Sequence, residues 1–262
     1  MARDLASRGF IIAVVGYDAP DCARPDGAVT SPRAGEMDFS SSAAFARTVE
    51  IADTKIVRVA ASAAKVLDAL ESLDRDDSPG RFTGRLDLSR TATIGHSLGG
   101  AIALQVAWLD ARIKAAIDLD GWLFDAARGG WPQQPVLVVG SDDSAAPAPD
   151  PDSADPNRRY QSVLDLEDGQ RISAGFAKFG GAEATIGHAR HEDFSDSPYL
   201  SRRAAFLRRR PDGHAIRAAD DCAVTFLESV IRGDASPSCK TSTSNVQVVV
   251  AHRPSSGEPA PP

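Results

Sequence analysis

Apolar residues fall into two kinds of run along this chain: short unbroken blocks, and longer stretches in which they recur every three or four positions. The first block, Phe10–Val15 (FIIAVV), follows Arg-Gly and predicts a strand buried on both faces, with MARDLAS before it as the end of a helix. Thr48–Leu73 carries Val59, Ala63, Val66, Leu67 and Leu70 at helical spacing and predicts an amphipathic helix. Strands follow at Arg90–Ile94, Ile113–Leu119, Pro135–Val139 and Glu183–Ile186, with helices at Leu98–Trp108, Tyr160–Phe179 and Asp220–Ile231. The Pro-, Gly-, Asp- and Ser-rich stretches Asp18–Phe45 and Ser141–Asp155 read as loops. Strand and helix in alternation predict an α/β fold with a mostly parallel sheet flanked by helices, right-handed crossovers, and active groups at the carboxyl ends of the strands. Residues 1–232 form this domain. From Gly233 onward the chain turns to Ser, Thr and Pro, and 233–262 reads as a tail with VQVVVAH as at most one appended strand.

Composition narrows the partners. A chain of 262 residues with 42% hydrophobic content buries a full core, and 29 basic against 36 acidic residues give a net charge of −7. That balance argues against nucleic acid as the main partner and offers no polybasic membrane patch. No stretch approaches the roughly 18 apolar residues that span a bilayer, and the N-terminus lacks the basic region and cleavage motif of a signal peptide, so the default compartment is the cytoplasm. Cys22, Cys222 and Cys239 are too few for a disulfide framework and read as free thiols, with one Cys222–Cys239 bridge as the alternative. Nothing in the chain calls for a cofactor.

The chemistry centres on TATIGHSLGGAIAL, residues 91–104. A Gly-x-Ser-x-Gly between a strand and a helix is a nucleophile elbow, in which Gly95 and Gly99 let backbone segments pass closely while Ser97 is held strained. The N–H of Leu98 then faces the substrate oxygen, aided by the positive end of the helix. The competing reading is a Gly-rich turn that only tightens strand–helix packing.

A serine hydroxyl needs a base, and that base an orienting acid. His96 lies inside the elbow and reads as a packing or hydrogen-bonding neighbour. His214 opens a helix and His252 lies in the tail. His188 and His191 follow the last strand, in GHARHEDFSD, where a base belongs when the order is Ser, acid, His; spacing leaves both open. Their His-x-x-His spacing also suits a metal, but no Glu-rich helical partner accompanies it, so no metal site is expected. For the acid, Asp120 ends the strand after the serine helix, with Asp118 deeper on the same side, while Asp142 and Asp143 end the next strand. The residues alone leave these competing.

The elbow GHSLGGA, the segment RIKAAIDLDGWLF and the segment HEDFSD together resemble the platelet-activating factor acetylhydrolase family of the α/β hydrolases. The resemblance covers Leu5 to about Leu200. It implies Ser97 as nucleophile, Asp120 as acid and His191 as base, with Asp120 lying 23 residues after Ser97, enough for one helix and one strand. It implies a serine ester hydrolase that cleaves short acyl esters through an acyl-enzyme, with phospholipid-like 2-acetyl substrates. Trp122, Leu123 and Phe124 have two readings, walls of an apolar acyl pocket or core. The resemblance further implies that strands one to three are missing, together with the His-Gly segment that carries the second oxyanion donor. Loss of such a donor costs roughly 10²- to 10³-fold in turnover. A start assigned too late is the favoured reading of this, ahead of a shortened derivative. FIIAVV would then pair directly with TATIG or leave a gap beside it, and the exposed sheet edge would invite an oligomer. The rival functions are a catalytically impaired, hydrolase-like binding fragment, and another α/β hydrolase of polyester or dienelactone type using Asp142 or Asp143.

Overall fold

A computed structural model describes residues 1–16, 22–23, 29–30, 37–124, 130–141, 148–195, 213–234, 238–242 and 246–251. Helix α1 (Ala2–Ser7) is followed by a two-residue antiparallel pair, β1 (Cys22–Ala23) with β2 (Val29–Thr30). Then come α2 (Ser42–Arg75), β3 (Thr91–His96), α3 (Leu98–Leu109), β4 (Ile113–Leu119) and β5 (Val136–Ser141). The chain continues through α4 (Pro156–Phe179), β6 (Gly181–Ile186), α5 (His214–Arg232) and β7 (Val246–Ala251). The expected alternation is present, and α2 starts earlier than its apolar periodicity because Ser41 caps it, accepting the Ala44 N–H at 3.2 Å.

The main sheet has the order β3-β4-β5-β6-β7, parallel except for β7, which runs antiparallel to β6. Alternate residues of the central strands bury opposite faces. Ile117, Leu119, Leu137 and Val139 pack with α1 and α5, while Ala116, Val136 and Val138 pack with α2, α3 and α4. The result is three layers, helix–sheet–helix.

Two expectations about the C-terminal region change. β7 belongs to the main sheet, so the domain continues past residue 232 into the segment expected to be a tail. Cys222 and Cys239 are not free thiols: they form a disulfide, both buried, that ties the segment leading to β7 onto α5. The bridge closes over 17 residues, and packing of that segment on α5, invisible in the spacing, brings the two sulfurs together.

The expected strand at Phe10–Val15 is also absent. These residues take no strand pairing, and Ile11 and Val14 are exposed. Of the two outcomes expected for FIIAVV beside TATIG, the structure shows the gap. A cleft of about 1370 Å³ is lined both by Phe10–Val15 and by β3, with Val59, Leu67, Ile102 and Val106 also facing it. Among the described residues nothing pairs with the outer edge of β3. An apolar run becomes a strand only where another strand takes up its N–H and C=O groups, and the cleft holds this segment away from the open edge of β3.

Candidate active site

The register of the sheet places the reactive groups. His96 pairs with Leu119, Leu119 with Val139, and Val139 with Ala184, so the carboxyl ends of four parallel strands lie side by side, with β5 and β6 running two residues further. Ser97 and Asp120 are the residues immediately after His96 and Leu119, on neighbouring strands about 4.8 Å apart. His191 arrives five residues after β6, at the start of a 3₁₀ turn, His191–Phe194.

Ser97 has φ 57° and ψ −130°, the strained geometry of an elbow nucleophile. Its N–H donates to the Leu119 carbonyl at 2.9 Å. Gly95 is required here: a Cβ on it would lie 1.8 Å from the Gly99 carbonyl oxygen. Gly99 does not carry the steric role expected of it, since a Cβ there meets nothing within 4 Å; the crowded position on the helix is Gly100. Leu98 opens α3, so its N–H has no intrahelical acceptor and lies at the positive end of the helix, directly after Ser97.

Ser97 Oγ–H donates to His191 Nε2 at 3.0 Å, and His191 Nδ1–H donates to Asp120 Oδ2 at 2.8 Å. The Asp120 side chain is fully buried, whereas that of His191 is 40% exposed. Asp120 is thus shielded from solvent while His191 is open to it. Asp120 is itself at φ 57°, and its N–H donates to the Val139 carbonyl at 2.7 Å. Of the competing carboxylates, Asp118 lies buried beneath and makes no bond to the base, and Asp142 and Asp143 lie outside the described residues. His188 is an exposed turn residue at φ 60°, His214 Nε2–H donates to the Gly187 carbonyl at 2.9 Å, and His252 lies outside the described residues.

Ser141 belongs to this site and was not singled out from the sequence. Its N–H donates to Asp120 Oδ1 at 2.8 Å and its Oγ–H to Asp120 Oδ2 at 2.9 Å, so the carboxylate is held on both oxygens. No local signal marks it: Ser141 ends the strand VLVVGS one residue past the position level with Asp120, and only the sheet register brings the two together.

His96 holds the base. Its Nε2–H donates to the His191 carbonyl at 2.9 Å, and the two rings lie 4.6 Å apart, centroid to centroid. Burial, and then the neighbouring His191, push the His96 pKa below the usual imidazole range, which favours the neutral ring. Phe194, buried, plugs the same turn into the core, and Asp193 accepts the Arg190 N–H at 3.0 Å.

The reading of Trp122, Leu123 and Phe124 as pocket walls is corrected for two of the three. Leu123 and Phe124 are fully buried among α2, α3 and α4, because the turn after Asp120 dives into that layer. Trp122 is half-buried. One face of α4 grips all three: Asp165 accepts the Trp122 indole N–H at 2.8 Å, Asp168 accepts the Leu123 N–H at 2.8 Å, and Arg171 donates to the Phe124 carbonyl. Burial pushes the Asp168 pKa up to about 7. Among the described residues, no helix is long and apolar enough to cross a membrane.

A profile of the family described as Platelet-activating factor acetylhydrolase, isoform II, matches residues 1–148, more than half of the chain. A bis(hydroxyethyl) terephthalate hydrolase of Streptomyces coelicolor is 36% identical over 98 residues, 31% of this chain and 31% of that protein. A platelet-activating factor acetylhydrolase of Cavia porcellus is 36% identical over 64 residues, 24% of this chain and 15% of that protein. Cutinase 2 of Thermobifida cellulosilytica is 35% identical over 89 residues, 33% of each. The matched stretches therefore span a third or less of each relative. A solved ferulic acid esterase from Streptomyces cinnamoneus has the same fold, with a TM-score of 0.54 and 22% identity over 87% of this chain and 61% of that one. With a profile match over more than half of its length, the chain belongs to the platelet-activating factor acetylhydrolase, isoform II, family.

Proposed function

We propose that this protein is a serine carboxylic-ester hydrolase that cleaves short acyl esters through an acyl-enzyme, with 2-acetyl, phospholipid-like esters as its substrate class. The observation that carries the reading is the unbroken relay from Ser97 Oγ through His191 to Asp120, at 3.0 and 2.8 Å. As Ser97 attacks the ester carbonyl, its proton passes to His191 Nε2, and Asp120 stabilises the imidazolium. The Leu98 N–H takes up part of the charge on the tetrahedral oxygen. His191 then protonates the leaving alcohol, and the same relay activates water to release the acid. The names of the relatives, an acetylhydrolase, a cutinase and a terephthalate ester hydrolase, support ester cleavage as the reaction type. The Cys222–Cys239 bridge favours folding in an oxidising compartment over the cytoplasm first expected.

Replacing Ser97 by alanine is expected to abolish both p-nitrophenyl acetate hydrolysis and labelling by a fluorophosphonate. A Ser97→Ala protein as active as the original overturns the reading, and a native protein that fails to label favours the impaired-fragment rival. The acyl class is decided by comparing kcat/KM for a 2-acetyl phospholipid analogue with that for bis(hydroxyethyl) terephthalate. A larger value for the terephthalate would move the protein to the polyester type.

A further inference from the structure

We propose that Asp118 is a positioning residue: its carboxyl pins the Asp120–Gly121 turn, in which Asp120 stands at positive φ, against the nucleophile elbow and so aims the triad acid at His191. The proposal rests on the reading of Ser97, His191 and Asp120 as the triad, and it adds a fourth side chain that touches neither substrate nor base.

Asp118 lies in the last turn of the pleat before the acid and is completely buried. Its Oδ1 accepts the Gly121 N–H at 3.1 Å. The same oxygen fills a notch between two backbones. A Cβ on Gly100, in the first turn of α3, would lie 1.7 Å from it, and a Cβ on Gly121 would lie 2.6 Å from it and 2.3 Å from the Ser97 carbonyl oxygen. Elbow helix, acid turn and carboxyl thus meet at one point, where only glycines leave room.

Strain explains why the point needs a clamp. Asp120 sits at φ 57°, a conformation that side chains rarely adopt and that persists only when its surroundings hold it. The peptide before Asp120 is held by the Val139 carbonyl, through the Asp120 N–H. The peptide after it is held by Asp118, through the Gly121 N–H. Without Asp118 that part-buried N–H would lose its acceptor, and the turn would be free to relax away from the strained form.

The charge state fits this role. Asp118 Oδ2 has no hydrogen-bond partner among the described residues. Burial, reinforced by the neighbouring Asp168 and then Asp120, holds its proton on well above the usual carboxylate range. A neutral acid supplies the acceptor that Gly121 requires without placing a second negative charge beside Asp120. An amide would do the same, and a methyl would not.

The test compares Asp118→Asn with Asp118→Ala in the full chain. Two readouts are used: kcat and KM on p-nitrophenyl acetate, and the downfield proton resonance of the His191 Nδ1–H···Asp120 bond, which requires no turnover. Asp118→Asn is expected to keep both. Asp118→Ala is expected to lower kcat by about ten- to a hundredfold, the scale of a misplaced catalytic group, with KM within about twofold, and to shift or lose the downfield signal. A folded alanine variant with an unchanged signal overturns the proposal, as does an asparagine variant as damaged as the alanine one. If alanine prevents folding, Asp118→Ser takes its place under the same criteria. An unmodified protein with the signal but no esterase activity refutes the proposed function and leaves the positioning role to be read from the resonance.

Discussion

Ile117 in the middle of β4 and Val14 near the N-terminus belong to the runs IKAAIDL and FIIAVV, of which the second is the more apolar, yet Ile117 is fully buried and Val14 is 82% exposed. β4 is hydrogen-bonded to β3 on one side and β5 on the other, and helices cover both its faces. Among the described residues the Phe10–Val15 segment has no paired neighbour and only Phe10 packs on the core, and β3 beside it is only half-buried along its whole length. The difference teaches that hydrophobicity nominates a strand and pairing makes one. It also explains how a flank can stay open while the site stays assembled. Ser97, Asp120, Ser141 and His191 hang from the ends of β3–β6, on the inward side of the gap, where each backbone has a partner.

The comparison can be broken at either end. The largest expected effect lies at the assembled end. Asp120→Asn removes the acceptor that fixes the His191 tautomer, and kcat on p-nitrophenyl acetate is expected to fall by about 10⁴, as in other serine hydrolases, with the fold intact by circular dichroism. A decrease of only a few-fold would show that another carboxylate serves His191.

Next in size is the packing contrast itself. Ile117→Ala is expected to lower unfolding free energy by about 2–5 kcal/mol, and Val14→Ser to change it by less than about 0.5 kcal/mol, both read from urea titrations. Equal losses would mean that residues 10–15 are packed in solution, and the contrast between the two regions would collapse.

The smallest effect sharpens the picture within the packed region. Asp168 has its pKa raised by burial to about 7, so between its unfolded value near 4 and that folded value the native protein binds the extra proton. Stability from this group is therefore present at low pH and lost as pH rises towards 7, by up to about 1 kcal/mol per pH unit. Urea midpoints at pH 5 and pH 7.5 are expected to differ less in Asp168→Asn than in the original protein. An identical difference in both would remove Asp168 as the titrating clamp on the Trp122–Phe124 turn.

Much of the fold was legible in the chain. IKAAIDL, PVLVV and the helices around them announced themselves, because strands buried on both faces need unbroken apolar runs and covering helices need an apolar stripe. The elbow was legible because steric crowding at Gly95 leaves little freedom in residue type. Asp120 and His191 were legible only through family resemblance, since spacing could not choose among Asp118, Asp120, Asp142 and Asp143, or between His188 and His191. Ser141, the neutral His96 that holds the base, and the α4 face gripping the turn after the acid left no local signal. Each depends on a partner between 21 and 95 residues away.

By itself, then, the sequence determined an alternating α/β chain with a strained serine between a strand and a helix, because local periodicity and glycine sterics act over a few residues. Only the tertiary structure decided which carboxylate bonds His191, that Asp118 lies buried beneath it, that Cys222 meets Cys239, and that FIIAVV forms no strand. Those outcomes depend on sheet register and on which backbone groups find partners, and both are properties of the assembled layers rather than of any segment.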